Sequence, residues 1–290
     1  MRSKLFISIL FIATFGYTQD AGTLNWTYPL DNQNSGNTAG ILPNGNIVFI
    51  DSDEWWGSGD LDNLGKLKCL DVDGSLVWEW QQSNINPLNW YSSLISSSGI
   101  IYFMADSIWQ TGENSTSSQK YLYRLNSDGS LLDRFVATGM SNPSLDGNDN
   151  IYFTSYNPVK MTKYDNNFQQ VWELEIDIEE GGLSIPTISP DGTVYTGCSY
   201  SSDNTYQGQL ISISNDGNLN WQVELGGYID STPAIIDMDG NLVVLVNTSS
   251  FNVKMSKYSS SGTLIFSTSA SQDMDSKPPI IDSHNNIYRT

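Results

Sequence analysis

The sequence is poor in positive charge and in histidine. It has 13 Lys and Arg against 32 Asp and Glu, a formal net charge of −19 over 290 residues, and one histidine. Because the positive residues form no cluster, we expect binding neither to nucleic acid nor to an anionic membrane surface. A serine or cysteine nucleophile needs an imidazole base, and the single histidine, His284, occupies a turn position. The sequence therefore gives little support for catalysis of this kind.

Cysteine is almost as rare, with only Cys69 and Cys198 in the whole chain. The two fall in different repeat units and show no spacing typical of a metal site or a disulfide framework. We expect both to be unpaired. A single disulfide between them stays open as the alternative, because an exported chain can form one.

The mature chain also lacks any hydrophobic run of about 18 residues, the length that spans a bilayer. The shorter run from Leu5 to Phe15 follows Arg2 and Lys4, an order typical of a secretory signal peptide. We therefore predict that residues 1–19 are a signal peptide and that the protein is exported to the periplasm, the cell surface or the medium. The remaining 20–290 should form one large domain, because 39% of residues are hydrophobic and 12% aromatic.

What the sequence does contain is a repeat. One motif has a tight turn, an apolar residue and an aromatic, and it alternates with a second motif in which a turn precedes a β-branched or aromatic run. Six copies of the second motif lie between Val48 and Tyr288, about 48 residues apart on average, a period that suits a four-stranded propeller blade. The first motif begins at Gly22, Gly74, Gly129, Phe168, Gly217 and Gly262.

Turn signals divide each repeat into four strands, since Asp-Gly or Asn-Gly between apolar runs favours a hairpin. In the fourth repeat they predict strands at 183–189, 193–197, 209–214 and 218–225, with a long loop before Gly208. No stretch of the mature chain has helical spacing. The sequence thus predicts an all-β fold, a β-propeller of four-stranded antiparallel blades, with about six blades visible.

The last of these blades is incomplete in sequence. The mature chain starts with a lone closing strand near 24–28 and stops at Arg289-Thr290, after the first hairpin of the sixth repeat. We therefore expect a longer natural chain with six to eight blades, because a half-built sheet edge promotes aggregation.

An acidic row runs along the segment 171–178. Trp172, Leu174, Ile176 and Ile178 should point to one face, with Glu173, Glu175 and Asp177 on the other. We interpret the acids as a solvated row that keeps an edge strand from pairing with other molecules, in preference to a metal or catalytic site.

The repeat resembles a known family at this point. The Pro-containing strand Ser231-Thr-Pro-Ala-Ile-Ile, the following Asp-Gly with its Val-rich strand, and the closing Leu-x-Trp look like the pyrroloquinoline-quinone-type β-propeller repeat. The resemblance covers roughly 20–290 and implies the fold; that family includes both quinoprotein dehydrogenases and non-enzymatic outer-membrane assembly proteins. Quinone-binding members are expected to use a disulfide of adjacent cysteines, which this chain lacks, so we expect no quinone cofactor.

The tryptophans fall into two groups. Those inside the repeat should pack between neighbouring blades, where an aromatic ring buries a large area. Trp55, Trp56 and Trp109 lie outside it, in the predicted loops 51–66 and 105–120, and they are our candidate binding residues. An exposed indole beside carboxylates could stack on a sugar ring, or it could tuck against its own blade.

The Asp-rich turns at Asp71 and Asp237 resemble calcium loops only superficially, because strands follow their glycines and turn chemistry explains the aspartates. A Ca²⁺ ion elsewhere on the acidic surface stays open, with no residues assigned. Our leading hypothesis is an exported, non-catalytic propeller that contacts protein or glycan through its loops. The alternative is an exported enzyme, either a quinoprotein-like dehydrogenase or a carbohydrate-active propeller with unidentified acids.

Overall fold

The computed structural model describes residues 25–30, 39–51, 64–87, 93–112, 115–137, 139–178, 181–202, 205–229, 232–249, 252–270 and 279–288. Within these ranges the chain forms antiparallel strands and turns, with no helix. The all-β prediction is therefore confirmed. The predicted signal peptide and the terminal Arg289-Thr290 lie outside the described residues.

The chain divides into two compact units, and the first is Met1–Thr138. It holds two antiparallel sheets. The first has the order β1-β2-β3-β4; in the second, β5 and β6 both pair with β7, followed by β8 and β9. Their strands are β1 Gly40–Ile41, β2 Ile47–Asp51, β3 Lys66–Leu70, β4 Leu76–Trp80, β5 Ile85–Pro87, β6 Leu94–Ile95, β7 Ile101–Gly112, β8 Ser115–Leu125 and β9 Leu131–Val136.

The second unit, Gly139–Thr290, holds three antiparallel sheets and a hairpin. The sheets have the orders β10-β11-β12-β13, β14-β16-β17-β18 with β15 also on β16, and β19-β20-β21-β22; the hairpin is β23-β24. Their strands are β10 Met140–Leu145, β11 Ile151–Tyr156, β12 Val159–Tyr164, β13 Gln170–Glu175, β14 Gly181–Leu183, β15 Thr187–Ile188, β16 Val194–Ser202, β17 Thr205–Ile213, β18 Leu219–Glu224, β19 Ile235–Ile236, β20 Leu242–Ser249, β21 Asn252–Tyr258, β22 Leu264–Ala270, β23 Ile280–Ile281 and β24 Ile287–Tyr288.

The strand bounds correct the sequence prediction in two ways. The strand predicted at 183–189 is split into β14 and β15 on either side of Pro186, because proline has no N–H to donate to a ladder. The loop predicted before Gly208 is instead ladder: β16 and β17 stay paired out to Ser202 and Thr205. The predicted loop 105–120 is likewise the paired end of β7 and β8.

A repeated contact joins each sheet to the next within each unit. An indole lies against the turn glycine between the third and fourth strands of a sheet, and a Cβ atom on that glycine would fall 2.5 to 3.0 Å from the ring. Three of these indoles, Trp78, Trp172 and Trp221, belong to the preceding sheet of their unit. The indole N–H also donates to a backbone carbonyl of the same turn. The bonds are Trp26 to Val72 at 2.9 Å, Trp78 to Ser127 at 3.0 Å, Trp172 to Asn215 at 2.8 Å and Trp221 to Ser260 at 3.0 Å.

This contact, called the indole wedge below, confirms the packing role predicted for the repeated tryptophans. It buries apolar area and satisfies a polar group at once, which is why tryptophan suits the position better than phenylalanine. The lone closing strand predicted near 24–28 is not a strand over its described part, 25–28. Trp26 nevertheless forms its wedge.

Hydrophobic cores lie between neighbouring sheets of each unit. In the first unit, Trp80 packs edge-on against Phe103 and Tyr123, with ring centroids 5.1 and 5.7 Å apart. Cys69 and Cys198 are free thiols, as the sequence predicted, and both are buried in these cores. Burial, with a smaller contribution from Glu224, raises the pKa of Cys198 to about 12.

Aspartate side chains hold several of the tight turns. The Asp71 carboxylate accepts the N–H groups of Asp73 and Ser75 at 3.0 and 2.8 Å. Asp237 accepts those of Asp239 and Asn241 in the same way, at 2.9 and 2.8 Å. These bonds show the turn role that the sequence predicted for both aspartates.

Candidate binding surface

Trp109 lies near the tip of the β7–β8 hairpin, where the ladder extends beyond the core of its sheet. Its side chain is 45% exposed, whereas Ile101 to Ala105 on the same strand are buried. The hairpin is held by backbone pairing, and Ile108 N–H also donates to Asn84 O at 2.8 Å. Trp109 is thus an exposed indole on a paired β-ladder, where the sequence predicted a loop.

Polar side chains without charge surround this indole. Trp109 is directly opposite Ser117, and Ser107 is directly opposite Gln119, so these four share one face of the hairpin. Tyr121 continues the same face toward the core. The face therefore offers one apolar ring flanked by hydroxyl and amide groups that can donate and accept hydrogen bonds.

A cationic group marks the inner end of that face. The Arg134 guanidinium lies 4.3 Å from the centre of the Tyr121 ring and donates to Tyr123 Oη at 3.1 Å. Stacking on the ring fixes the planar guanidinium while leaving the residue exposed. Together, Ser107, Trp109, Ser117, Gln119, Tyr121 and Arg134 are called the hairpin face below.

Asp106, an acid on the same strand with a raised pKa, lies on the face of the hairpin opposite Trp109. Burial raises the pKa of Asp106, and the positive charge of Lys120 opposes this. Asp106 and Lys120 are cross-strand partners on the opposite side of the hairpin from Trp109, because side chains alternate along a strand. The Asp106 carboxyl group, whose pKa is raised, therefore does not lie beside the indole. An acid catalyst that acts on a sugar stacked on Trp109 would have to lie there.

The other two predicted binding residues, Trp55 and Trp56, lie outside the described residues. Asp51 and Lys66, which flank their segment, end the ladder of β2 and β3. Asp51 is buried and accepts from Lys68 Nζ at 2.8 Å. The structure brings Trp109, alone of the three predicted residues, into a described surface.

A second aromatic surface, which the sequence did not predict, lies in the second unit. Tyr206 in β17 is 72% exposed, and its ring centre lies 5.6 Å from that of Tyr228, at an interplanar angle of 51°. Tyr228 is held by two backbone bonds with Asn247, at 2.8 and 2.9 Å. The sequence feature that could have indicated this surface is a tyrosine beside glycine in each of two segments, 206–208 and 226–228.

A polar cluster lies on the opposite face of that hairpin. Tyr200 Oη donates to Glu224, 3.2 Å from each carboxylate oxygen, and Gln209 Nε2 donates to Glu224 Oε1 at 2.6 Å. Burial and then Glu224 raise the pKa of Tyr200. These bonds occupy the carboxylate, so this cluster stabilises the end of the β16–β17 hairpin.

Three further predictions bear on other kinds of site. His284 is exposed at its turn, where its backbone N–H donates to Asp282 Oδ1 at 2.9 Å. Over the ranges that the structure describes, no group of three or more His, Cys, Asp or Glu residues could hold a metal ion. In those same ranges no helix has the length and hydropathy needed to cross a membrane.

Comparisons with known proteins decide the fold. The chain is similar to a protein of unknown function from Bacteroides caccae, with a TM-score of 0.50 and 12% identity over 84% of this chain and 85% of that one. It is also similar to a streptogramin B lyase, with a TM-score of 0.51 and 16% identity over 84% of this chain and 71% of that one. The fold is a β-propeller.

A third similar structure is prolyl oligopeptidase B from Galerina marginata, with a TM-score of 0.51 and 8% identity, over 89% of this chain and 39% of that one. No protein-family profile matches the sequence, and no curated protein does. At such low identities the likeness concerns the fold of the propeller and carries no activity with it. The quinone-type repeat therefore stays a prediction.

Proposed function

We propose that this β-propeller is an exported, non-catalytic binding protein, and that the hairpin face binds a glycan at the cell envelope. The observation that carries the proposal is the 45% exposed Trp109 ring on a paired β-ladder, next to hydroxyl and amide side chains. A sugar presents C–H groups on one side of its ring and hydroxyl groups around the rim. A fixed indole bordered by Ser and Gln matches both.

A glycan suits this face better than a protein segment does. Protein interfaces concentrate their binding energy in clusters of apolar and aromatic side chains from which water is excluded. The outer half of the hairpin face has one indole, and its neighbours Ser107, Ser117 and Gln119 are small or polar. Such a composition offers many hydrogen bonds and little apolar area.

Two further points support binding without chemistry. The hairpin is fixed by its ladder, so its face needs no ordering when a ligand binds. The acid with a raised pKa, Asp106, is on the opposite side of the sheet from Trp109. Export is supported by the charged and apolar order of the first 15 residues.

A glycan array probed with the labelled protein tests the proposal. We expect specific binding that Trp109→Ala weakens at least tenfold, because an aromatic anchor contributes more than about 1.4 kcal/mol when buried by a ligand. Gln110→Ala is the matched control: Gln110 is the exposed neighbour on the opposite side of the hairpin, and its loss should leave binding unchanged. An array without binding, or equal binding by both variants, would contradict the proposal.

A further inference from the structure

Arg134 is exposed at the inner end of the hairpin face, and two contacts hold its guanidinium in place. The Cζ atom lies 4.3 Å from the centre of the Tyr121 ring. Nη1 donates to Tyr123 Oη at 3.1 Å, and Tyr123 is buried directly opposite Arg134 in the ladder. Within the described part of the chain this is the one hydrogen bond of the guanidinium, so its other N–H groups are left for a ligand.

The charge of Arg134 is also left for a ligand. Most of the basic side chains that the structure describes form an ion pair with a carboxylate, whereas no described carboxylate pairs with Arg134. Its neighbour Asp133 lies on the other face of β9 and pairs with Arg124. Arg134 is therefore the one charged member of the hairpin face. The pairs are Lys66–Glu79, Lys68–Asp51, Arg124–Asp133, Lys160–Glu173, Lys163–Asp146 and Lys257–Asp237.

We propose that Arg134 makes the hairpin face selective for acidic glycans, by binding a carboxylate or sulfate group of the ligand. This inference rests on the glycan binding proposed above. A guanidinium presents parallel N–H groups that match the oxygens of such an anion, and these charged hydrogen bonds are about twice as strong as neutral ones. A neutral sugar offers only hydroxyl groups at this position, so it gains less from the contact.

The spacing along the hairpin indicates that the ligand is an oligosaccharide. Tyr121, which carries the guanidinium, is directly opposite Ala105, and Trp109 lies four residues further along β7. At about 3.4 Å per residue, the two positions are about 13 Å apart, which is more than one sugar ring spans. One sugar would therefore stack on Trp109 and an acidic sugar further along the same chain would reach Arg134. The hydroxyl and amide side chains of the face lie between them.

The charge of the whole protein limits how acidic the ligand can be. The chain carries −19, and only charges within about 8 Å of one another interact strongly at physiological salt. Arg134 compensates one anionic group near the face, whereas a polyanion would bring further negative charges toward the acidic surface. The suitable ligand therefore carries an occasional acidic sugar among neutral ones.

A glycan array that pairs sparsely acidic glycans with their neutral counterparts tests the proposal, with affinities then measured by calorimetric titration. The counterparts are made by carboxyl reduction in one arm and by desulfation in the other, which distinguishes the two sources of charge. We expect the wild-type protein to bind the acidic form of its ligand at least tenfold more tightly than the neutral form, and more tightly than polygalacturonate. Arg134→Gln should make the affinities for the two forms equal.

Lys160→Gln is the matched control. It removes the same charge from the second unit, where Lys160 pairs with Glu173 at 2.8 Å, and it should keep the preference for the acidic form. Circular dichroism checks that both variants remain folded. The comparison of ligand forms on the wild-type protein needs no variant, so it tests the proposal even if a variant does not fold.

Three results would overturn the proposal. The wild-type protein could bind both forms equally, or polygalacturonate best. If Trp109→Ala still weakened binding in that case, the proposed glycan binding would stand and only the selectivity for acidic glycans would be refuted. Arg134→Gln could keep the tenfold preference, which would place the anion contact elsewhere. Lys160→Gln could lose the preference equally, which would trace it to net charge.

An array without any binding would contradict the proposed function, and this inference with it.

Discussion

Replacing Gly217 with alanine should destabilise the protein more than its backbone conformation explains. Gly217 has a φ of +83°, in the left-handed region, where an L residue costs about 1 to 2 kcal/mol. The new Cβ atom would also lie 2.7 Å from Trp172 Cγ and 2.8 Å from Cδ2. The indole cannot move away without stretching its bond to Asn215, so overpacking should add about 1 to 3 kcal/mol.

Gly240→Ala separates the two effects. Gly240 has a φ of +78°, and no atom lies within 4 Å of its would-be Cβ, so this variant carries the backbone cost alone. Urea unfolding followed by tryptophan fluorescence and far-UV circular dichroism gives the free energy of unfolding of both variants. We expect the Gly217 variant to lose about 1 to 3 kcal/mol more than the Gly240 variant. Equal losses would refute the indole wedge as a tight contact.

Two further predictions concern titratable groups. Cys69 and Cys198 should not react with a thiol reagent at pH 8 in the native protein, because both are buried and burial raises the pKa of each. In urea, two thiols per chain should react. Fast labelling of the native protein would contradict the buried position of these cysteines. Burial alone would raise the pKa of Asp237, but hydrogen bonds from Lys257 and from the turn N–H groups lower it overall. A carboxyl group with a lowered pKa stabilises the fold above its unfolded pKa of about 3.9, and that stability is lost as the pH falls toward the folded pKa. Asp237→Asn should therefore be less stable at pH 7 and should lose less stability between pH 5 and pH 3 than the wild type; parallel acid unfolding curves would contradict the assignment.

The order of strands and turns could be predicted from sequence because it is written in short-range chemistry. An Asp or Asn followed by Gly fixes a hairpin within a few residues, and the spacing of these turns leaves room only for strands. The packing role of the repeated tryptophans could also be predicted. A residue that recurs once per repeat is expected to make the contact between one repeat and the next, which recurs with the same period. The glycine that receives each indole could have been predicted by the same argument.

Neither the long β7–β8 and β16–β17 hairpins nor the surface around Trp109 could be predicted from the sequence. Their outer ends alternate Ser, Thr, Gln and Gly, so neither face is apolar and the two-residue period of a strand is absent. The β7–β8 and β16–β17 hairpins extend into this polar sequence through backbone hydrogen bonds. Such bonds do not depend on the side-chain pattern, so the sequence does not reveal them. Tyr206 and Tyr228 meet only because the chain doubles back between them, which local patterns do not encode.

Hydrogen exchange of the indole N–H groups, read from the ¹H–¹⁵N spectrum of the native protein, tests the indole wedge most directly. The wedge predicts that Trp26, Trp78, Trp172 and Trp221 exchange more slowly than Trp109, because each donates to a carbonyl of the following sheet while the Trp109 ring faces solvent. Equally fast exchange at all five indoles would contradict the contact that joins one blade to the next.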